Sequence, residues 1–301
     1  MTPETKAALL AVSLDPDQLS RLVRVAIDED LAGGEDVTST ATIDPDSTST
    51  AEYVVRGYGV LAGMPVLAAV LEIGLPTDAK ITVVGSDGER VVPGTVIARV
   101  TSKTIPLLTI ERTSLNVISR LCGIATLTQQ WVDAVALSAA RVRDTRKTTP
   151  GLRALEKYAV RCGGGVNHRF GLHDAVLIKD NHVVAAGGVG AALDAVHRRY
   201  GVTPGQAKAG FAVQVEVDSF AQLDEALDHG ATQVLLDNMT PDEMTAAVRR
   251  IRARNAHVLV EASGGLSLAN AVEVAATGVD FLAVGALTHS APILDIGLDF
   301  V

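Results

Sequence analysis

The chain has 301 residues, 48% hydrophobic, 20% charged and 3% aromatic, with a net charge of −9. That is a globular balance with length enough for two lobes. No apolar run approaches the roughly 20 residues that cross a bilayer, the first residues lack a signal peptide's cationic start and apolar stretch, and the acidic balance speaks against a nucleic-acid scaffold. The expectation is a cytoplasmic protein with neither membrane nor nucleic acid as partner. Cys122 and Cys162 have no metal-like spacing and read as reduced, buried thiols.

In chain order, "DQLSRLVRVAIDEDL" predicts one amphipathic helix. Alternating or β-rich runs follow, "STAEYVVRGYGVL", "KITVVGSDGERV" and "TVIARVTS", broken by turn signals and by one helical stretch, "PVLAAVLEIG". This is an N-terminal α+β sandwich lobe with a mostly antiparallel sheet, expected over 1–122 and joined by the tail 290–301. A long helix through "LTIERTSLNVISRLCGIATLTQQWVDAVA" marks the boundary.

From 123 to 289 the rhythm changes. Strand-type runs occur at "ARVRD", "AVLIKD", "FAVQVEVD", "TQVLLDN", "HVLVEASGG" and "VDFLAVGA", the last four separated by helix-like segments. "DSFAQLDEALDHG" places Phe220, Leu223 and Leu227 on one face behind an acidic cap. Six near-continuously apolar strands predict a parallel sheet buried on both sides. Polar residues collect where each run ends, among them Asp144 to Lys147, Lys179, Glu216, Asp237 with Asn238, and Glu261 with Ser263. Chemistry gathered from the ends of many strands belongs to an α/β class fold, an incomplete parallel α/β barrel of six to seven strands. The glycines of "GGVGAA" at 187–192 start eight residues after their strand and match a dinucleotide loop only by accident. "TPGQAKAG" at 203–210 reads as an exposed loop, the least site-like stretch of this half.

Charge is unevenly spread. Between Arg141 and Lys179 nine Lys/Arg stand against three acids, while the other 262 residues carry 17 against 32. A cationic island in an acidic protein points to a small anionic ligand gathered by a local field. "RDTRKTTPG" concentrates it: if "ARV" is a barrel strand, Arg146 and Lys147 stand at its mouth, and Thr149 caps a helix with Pro150 in its first turn. A solvated helix face accounts for Arg153, Lys157 and Arg161. It does not account for Arg146, Lys147, His168, Arg169 and Lys179 on successive strand-end loops. Arginine suits carboxylate or phosphate in two-point geometry and lysine acts as a compact charge, so the mixture suits both kinds of anion. Ser263, Gly264 and Gly265 just before a helix, and Gly285 in the final loop, fit the place where barrels hold a phosphate. Between them Glu216 and Asp237 suit ribose hydroxyls, Mg²⁺ or a positive sugar ring.

"EDLAGGEDVTS", "ERTSLNVISRLCGIATLT", "DTRKTTPGLRALEKYAVRCGGGVNHRFGLHDAVLIKDNH", "VEVD", "LLDN", "EASGGLS" and "GVDFLAVGALTHS" together resemble the quinolinate phosphoribosyltransferase family over nearly the whole chain. The resemblance implies a homodimer, higher oligomers not excluded, in which one lobe covers the partner's barrel and Arg112 reaches the partner's pyridine carboxylate. It implies that Arg146, His168, Arg169 and Lys179 hold the quinolinate carboxylates and that Lys147 and Lys179 face pyrophosphate. Glu216 and Asp237 would meet the ribose and its Mg²⁺, and Ser263, Gly264, Gly285 and His289 the 5-phosphate. Lys147, Lys179, Glu216 and Asp237 are the expected catalytic set, with phosphoribosyl pyrophosphate and quinolinate as substrates. The competing readings are a same-fold phosphoribosyltransferase for another aromatic acid, a barrel lyase using Lys179 as a Schiff-base amine, and a non-catalytic nucleotide sensor.

Overall fold

The computed structural model describes residues 1–301. Three helices open the chain: α1 (Pro3–Ala11), α2 (Pro16–Leu31) and α3 (Val37–Thr42). Asp15 explains where α2 begins, since its side chain accepts from the Asp17 and Gln18 N–H groups and Pro16 follows at the first helical position. Strands β1 (Thr48–Val55) and β2 (Gly59–Val60) lead to α4 (Met64–Gly74); β3 (Lys80–Val83), β4 (Arg90–Val91) and β5 (Val96–Lys103) lead to α5 (Thr104–Ala134). The parallel half then runs β6 (Arg141–Arg143), α6 (Arg153–Cys162), β7 (Ala175–Ile178), α7 (Asp180–Ala186), α8 (Val189–Tyr200), β8 (Ala212–Val217), α9 (Phe220–Asp228) and β9 (Gln233–Asp237). It continues through α10 (Pro241–Arg254), β10 (Leu259–Ser263), α11 (Ala271–Ala276), β11 (Phe281–Ala283) and α12 (Ala286–His289), and closes with β12 (Ile296–Phe300).

The chain divides into two compact units. The first comprises Met1–Gln129, Thr148–Gly164 and Ala286–Val301; the second comprises Gln130–Lys147 and Gly165–Gly285. The division falls inside α5, and the segments holding α6 and α12 belong to the first unit.

In the first unit an antiparallel sheet runs β12–β1–β5–β3, with the tail strand pairing β1 from Ala51↔Phe300 to Val55↔Ile296. Tyr53 of β1 points into the core, where its hydroxyl meets Ser114 Oγ of α5 at 2.7 Å. Burial pushes that phenol up to about 12.

The second unit holds the parallel sheet, β6–β11–β10–β9–β8–β7, so the first strand lies beside the last. On its free side β6 meets Val166: the Val166 N–H donates to Val142 O at 2.9 Å and the Asp144 N–H to Val166 O at 3.1 Å. Seven elements thus follow one another from β7 round to Val166, the incomplete barrel that strand spacing predicts.

Two features differ from expectation. The strands are not apolar on both faces: Val213, Val215 and Val217 alternate with Gln214 and Glu216, and Val260 and Ala262 with Glu261 and Ser263. A period of two puts each polar set on one face of the sheet. The cap of α9 is Ser219, whose hydroxyl accepts from the Gln222 N–H, rather than the preceding acid, and its buried residues are Leu223 and Ala226. Gly187 ends α7 and Gly188 caps α8, so the glycines of "GGVGAA" punctuate two helices. No helix is long and apolar enough to cross a membrane.

Candidate active site

The site is built from the C-terminal ends of the second unit's strands. Lys179 follows β7 directly and its backbone N–H donates to His182 Nδ1 at 3.0 Å, which fixes the turn into α7. Its Nζ is engaged by Glu216 of β8. Asp237 ends β9 and accepts from Asn238 Nδ2 at 2.7 Å. Burial raises the Asp237 carboxyl above its ordinary range and the neighbouring Glu216 charge raises it further, while Lys179, Lys147 and Asn238 act in the opposite direction. Asp237 therefore senses Lys147, Lys179 and Glu216, so two cations and two anions gather at four strand ends.

Arg146 and Arg169 form a second group. Burial holds the Arg169 guanidinium below its ordinary value and the nearby Arg146 charge lowers it further, with Asp174 opposing. Arg169 Nη1 donates to Ala175 O at 3.1 Å and its buried Nε has no partner within the protein. Two guanidinium charges that act on each other give this face a positive potential suited to an anion.

The segment Asn167–Arg169 is tied down from below. Fully buried Asp144 accepts from Asn167 Nδ2 at 2.6 Å and from the His168 N–H at 2.8 Å. His168 Nε2 lies 2.8 Å from Gln214 Oε1 and 3.5 Å from Glu261 Oε1. Glu261, 1% exposed, pairs through Oε2 with Arg143 Nη1 at 2.6 Å, and the Arg143 guanidinium stacks 3.8 Å over the Phe281 ring. Beside this segment opens a cavity of about 440 Å³ lined by Arg143, Asn167, His168 and Arg169 together with Lys208 and Phe211. The stretch 203–210, exposed as expected, contributes to its wall and so is not remote from the cationic residues. Arg146, Lys147 and Lys179 do not line it.

Ser263 ends β10 in register with Asp237. Gly264 and Gly265 follow with φ of +86° and +61°, and a Cβ at Gly264 would overlap the Asn238 side chain and come within 2.9 Å of its N. Only glycine fits there. The helix expected immediately afterwards starts later, at Ala271, because "LSLAN" forms turns first. Gly285 directly precedes α12.

Arg112 and His289 belong to the first unit. Arg112 is exposed on α5; His289 is exposed at the end of α12, with Nδ1 2.6 Å from Ser290 Oγ.

The turn after Lys147 departs from expectation. Gly151 takes φ +81°, which breaks the helical path, so α6 starts at Arg153 and Thr149 does not cap it. Instead the Thr149 N–H and Oγ1 donate to Glu156 at 3.0 and 2.8 Å. Glu156 is fully buried, also takes Arg120 Nη2 at 2.8 Å, and Arg120 Nη2 and Nη1 reach the Thr288 and Ala291 carbonyls. Lys157, expected on a solvated face, is likewise fully buried. Sequence reading passed over Glu156, Gln214 and Arg143 as working residues; the signal for the latter two was the polar alternation inside strands assumed apolar.

A resident metal would need more ligands than two strand ends supply, and the protein has no group of three or more His, Cys, Asp or Glu that could hold one. Glu216 and Asp237, the first of which raises the cost of ionising the second, suit a hard cation carried mainly by a substrate's phosphates.

Known proteins place this geometry. Residues 36–122 match the quinolinate phosphoribosyl transferase N-terminal domain and residues 124–299 its C-terminal domain. The nicotinate-nucleotide pyrophosphorylase [carboxylating] of Mycobacterium leprae is 49% identical over 278 residues, covering 92% of this chain and 95% of that one. A probable enzyme of the same name from Synechocystis is 39% identical, covering 91% and 89%. The solved nicotinate-nucleotide pyrophosphorylase from Francisella tularensis superposes with a TM-score of 0.87 at 36% identity over 96% of this chain and 98% of that one. With both domains matched in order and relatives spanning nearly its whole length, the chain belongs to the quinolinate phosphoribosyl transferase family.

Proposed function

We propose that the protein transfers the phosphoribosyl group of phosphoribosyl pyrophosphate to quinolinate with loss of CO₂, giving nicotinate mononucleotide and pyrophosphate, a step of de novo NAD synthesis. What supports this reading is the presence, within one unit, of Arg146 acting on Arg169 and of Lys147, Lys179 and Glu216 acting on Asp237, with Lys179 engaged by Glu216. A ring bearing two carboxylates offsets the repulsion between the arginines; the mixed cluster suits a sugar that is positive while its leaving group is negative.

Quinolinate's ring nitrogen has a lone pair and no proton, so its attack on the sugar's C1 needs no general base. Catalysis then rests on placement and charge. Lys147 and Lys179 meet the departing pyrophosphate. Glu216 or Asp237 faces the oxocarbenium-like ribose. Glu216 and Asp237 would also help hold Mg²⁺, which supplies charge neutralisation on the phosphate oxygens. After alkylation the cationic ring accepts the electron pair released as the adjacent carboxylate leaves as CO₂; the resulting carbanion takes a proton. Ser263, Gly264, Gly285 and His289 are assigned to the 5-phosphate, with the left-handed glycine pair leaving backbone N–H groups accessible at a place no side chain fills. Lys179 stands against a carboxylate, not in the apolar pocket that a Schiff-base amine requires, which disfavours the lyase reading.

Purified protein given quinolinate, phosphoribosyl pyrophosphate and Mg²⁺ is expected to release CO₂ and pyrophosphate in equal amounts, and neither with nicotinate as acceptor. Pyrophosphate release with nicotinate or another acid, and none with quinolinate, would overturn the assignment.

A homodimer in which Arg112 acts on the partner's site makes a separate prediction. In an equal mixture of Arg112→Ala and Lys179→Ala proteins, exchanged to form mixed dimers, half the dimers are mixed and each has one site free of both lesions. Activity is expected to recover to about a quarter of wild type; no recovery despite subunit exchange would place Arg112 in its own protomer's site, and full activity of Arg112→Ala alone would place it outside the site.

A further inference from the structure

We infer that Gln214, Glu261 and Arg143 form a buried frame whose task is to hold His168 in one tautomer and, through it, to fix the main chain of Arg169 against the acceptor. The inference rests on the proposed binding of quinolinate near Arg169. It gives His168 a positioning role, exerted through the Arg169 main chain.

Hydrogen-bond bookkeeping forces the tautomer. The Arg169 backbone N–H lies 2.6 Å from His168 Nδ1. A backbone N–H only donates, so Nδ1 presents its lone pair and the ring hydrogen sits on Nε2. That hydrogen points at Gln214 Oε1, 2.8 Å away. Because the ring must donate, Gln214 must present its oxygen, which also settles the amide's orientation. Protonating Nδ1 would set two donors against each other and break the Arg169 contact.

Glu261 guards the arrangement. Its Oε2 is held by Arg143, while its buried Oε1 makes no hydrogen bond and lies 3.5 Å from His168 Nε2. The Nε2 hydrogen is thus placed between two acceptors, one neutral and one charged, and both favour it there. Arg143 in turn is clamped between that carboxylate and the Phe281 face. Asp144 fastens the same segment through its backbone and through Asn167. Glu261 and Gln214 thus face the Nε2 edge of His168, the Arg169 N–H faces Nδ1, and Asp144 holds its backbone.

The test uses the full-length protein. In ¹⁵N-histidine-labelled wild type, His168 is expected to show a protonated Nε2 and a bare Nδ1 at pH 7. An imidazolium ring or the Nδ1–H tautomer at pH 7 overturns the frame, whatever the reaction. Glu261→Gln keeps shape and removes charge; Gln214→Leu keeps volume and removes the acceptor. Each is expected to raise KM for quinolinate about tenfold or more, the size of one charge-assisted hydrogen bond, while KM for phosphoribosyl pyrophosphate stays within about twofold. Unchanged quinolinate KM in both folded variants, or an equal rise in both KM values, overturns it. Should either variant fail to fold, the wild-type tautomer decides. If wild type does not turn over quinolinate, the proposed reaction fails while the spectrum still judges the frame.

Discussion

Lys179→Ala is expected to lower kcat for quinolinate about 10²–10³-fold, the scale of removing one preorganised charge from a transition state, while thermal unfolding moves little. The asymmetry follows from where the side chain sits. Its ion-pair partner Glu216 is largely buried, yet Lys179 itself is 44% exposed, and a pair so open to water contributes little to folding. In the reaction the same ammonium has no substitute: Lys147 also influences Asp237, but it belongs to a different loop and cannot occupy the space beside Glu216. Steady-state kinetics with thermal melts of the same preparation check both halves. A variant with near-normal kcat/KM would remove Lys179 from the mechanism, and one that melts far below wild type would make it structural.

The opposite signature is expected at Glu156. Glu156→Ala deletes a fully buried carboxylate that accepts from Arg120 and twice from Thr149. Arg120 is left partly buried with its charge uncompensated and Thr149 loses both partners. Breaking a buried pair in this way costs about 3–5 kcal/mol, read as a lowered midpoint in urea at unchanged slope. Glu156→Gln, which can still accept from Thr149, should lose less. Equal midpoints for wild type and Glu156→Ala would show that the buried carboxylate has no part in stability.

How far the sequence foretold this depends on the kind of interaction. Charged residues at strand ends are legible because a strand's length and its polar terminus are both local: Lys179, Glu216 and Asp237 fall where the apolar runs stop, and the structure brings their charges together. Helices with side-chain caps were less uniform: α2 and α9 read as helices, whereas α1 and α3 escape notice. The "VTSTAT" of α3 is poor helix-forming sequence, held by Asp36 accepting from the Thr38 and Ser39 N–H groups. What lies inside a curved sheet was hidden. Gln214 and Glu261 look like breaks in apolar strands until β8 and β10 are set on either side of β9 and His168 is seen to touch both. Lys157 escaped for a related reason: α6 carries charge on both sides, and periodicity cannot say which side meets protein. The left-handed Gly151 overrode the cap that Thr149 and Pro150 advertise, since one backbone torsion outweighs two side-chain preferences.

The pairing of β12 with β1 has a consequence for biosynthesis. A ribosome delivers β1 before every strand of the parallel sheet and β12 only after them. Until then the outer border of β1 offers its N–H and C=O groups to any passing chain, a hazard that grows with the delay. Nascent molecules of this protein should therefore be most prone to clump before β12 is made, and slowing translation between β1 and β12 should worsen yield more than slowing it before β1.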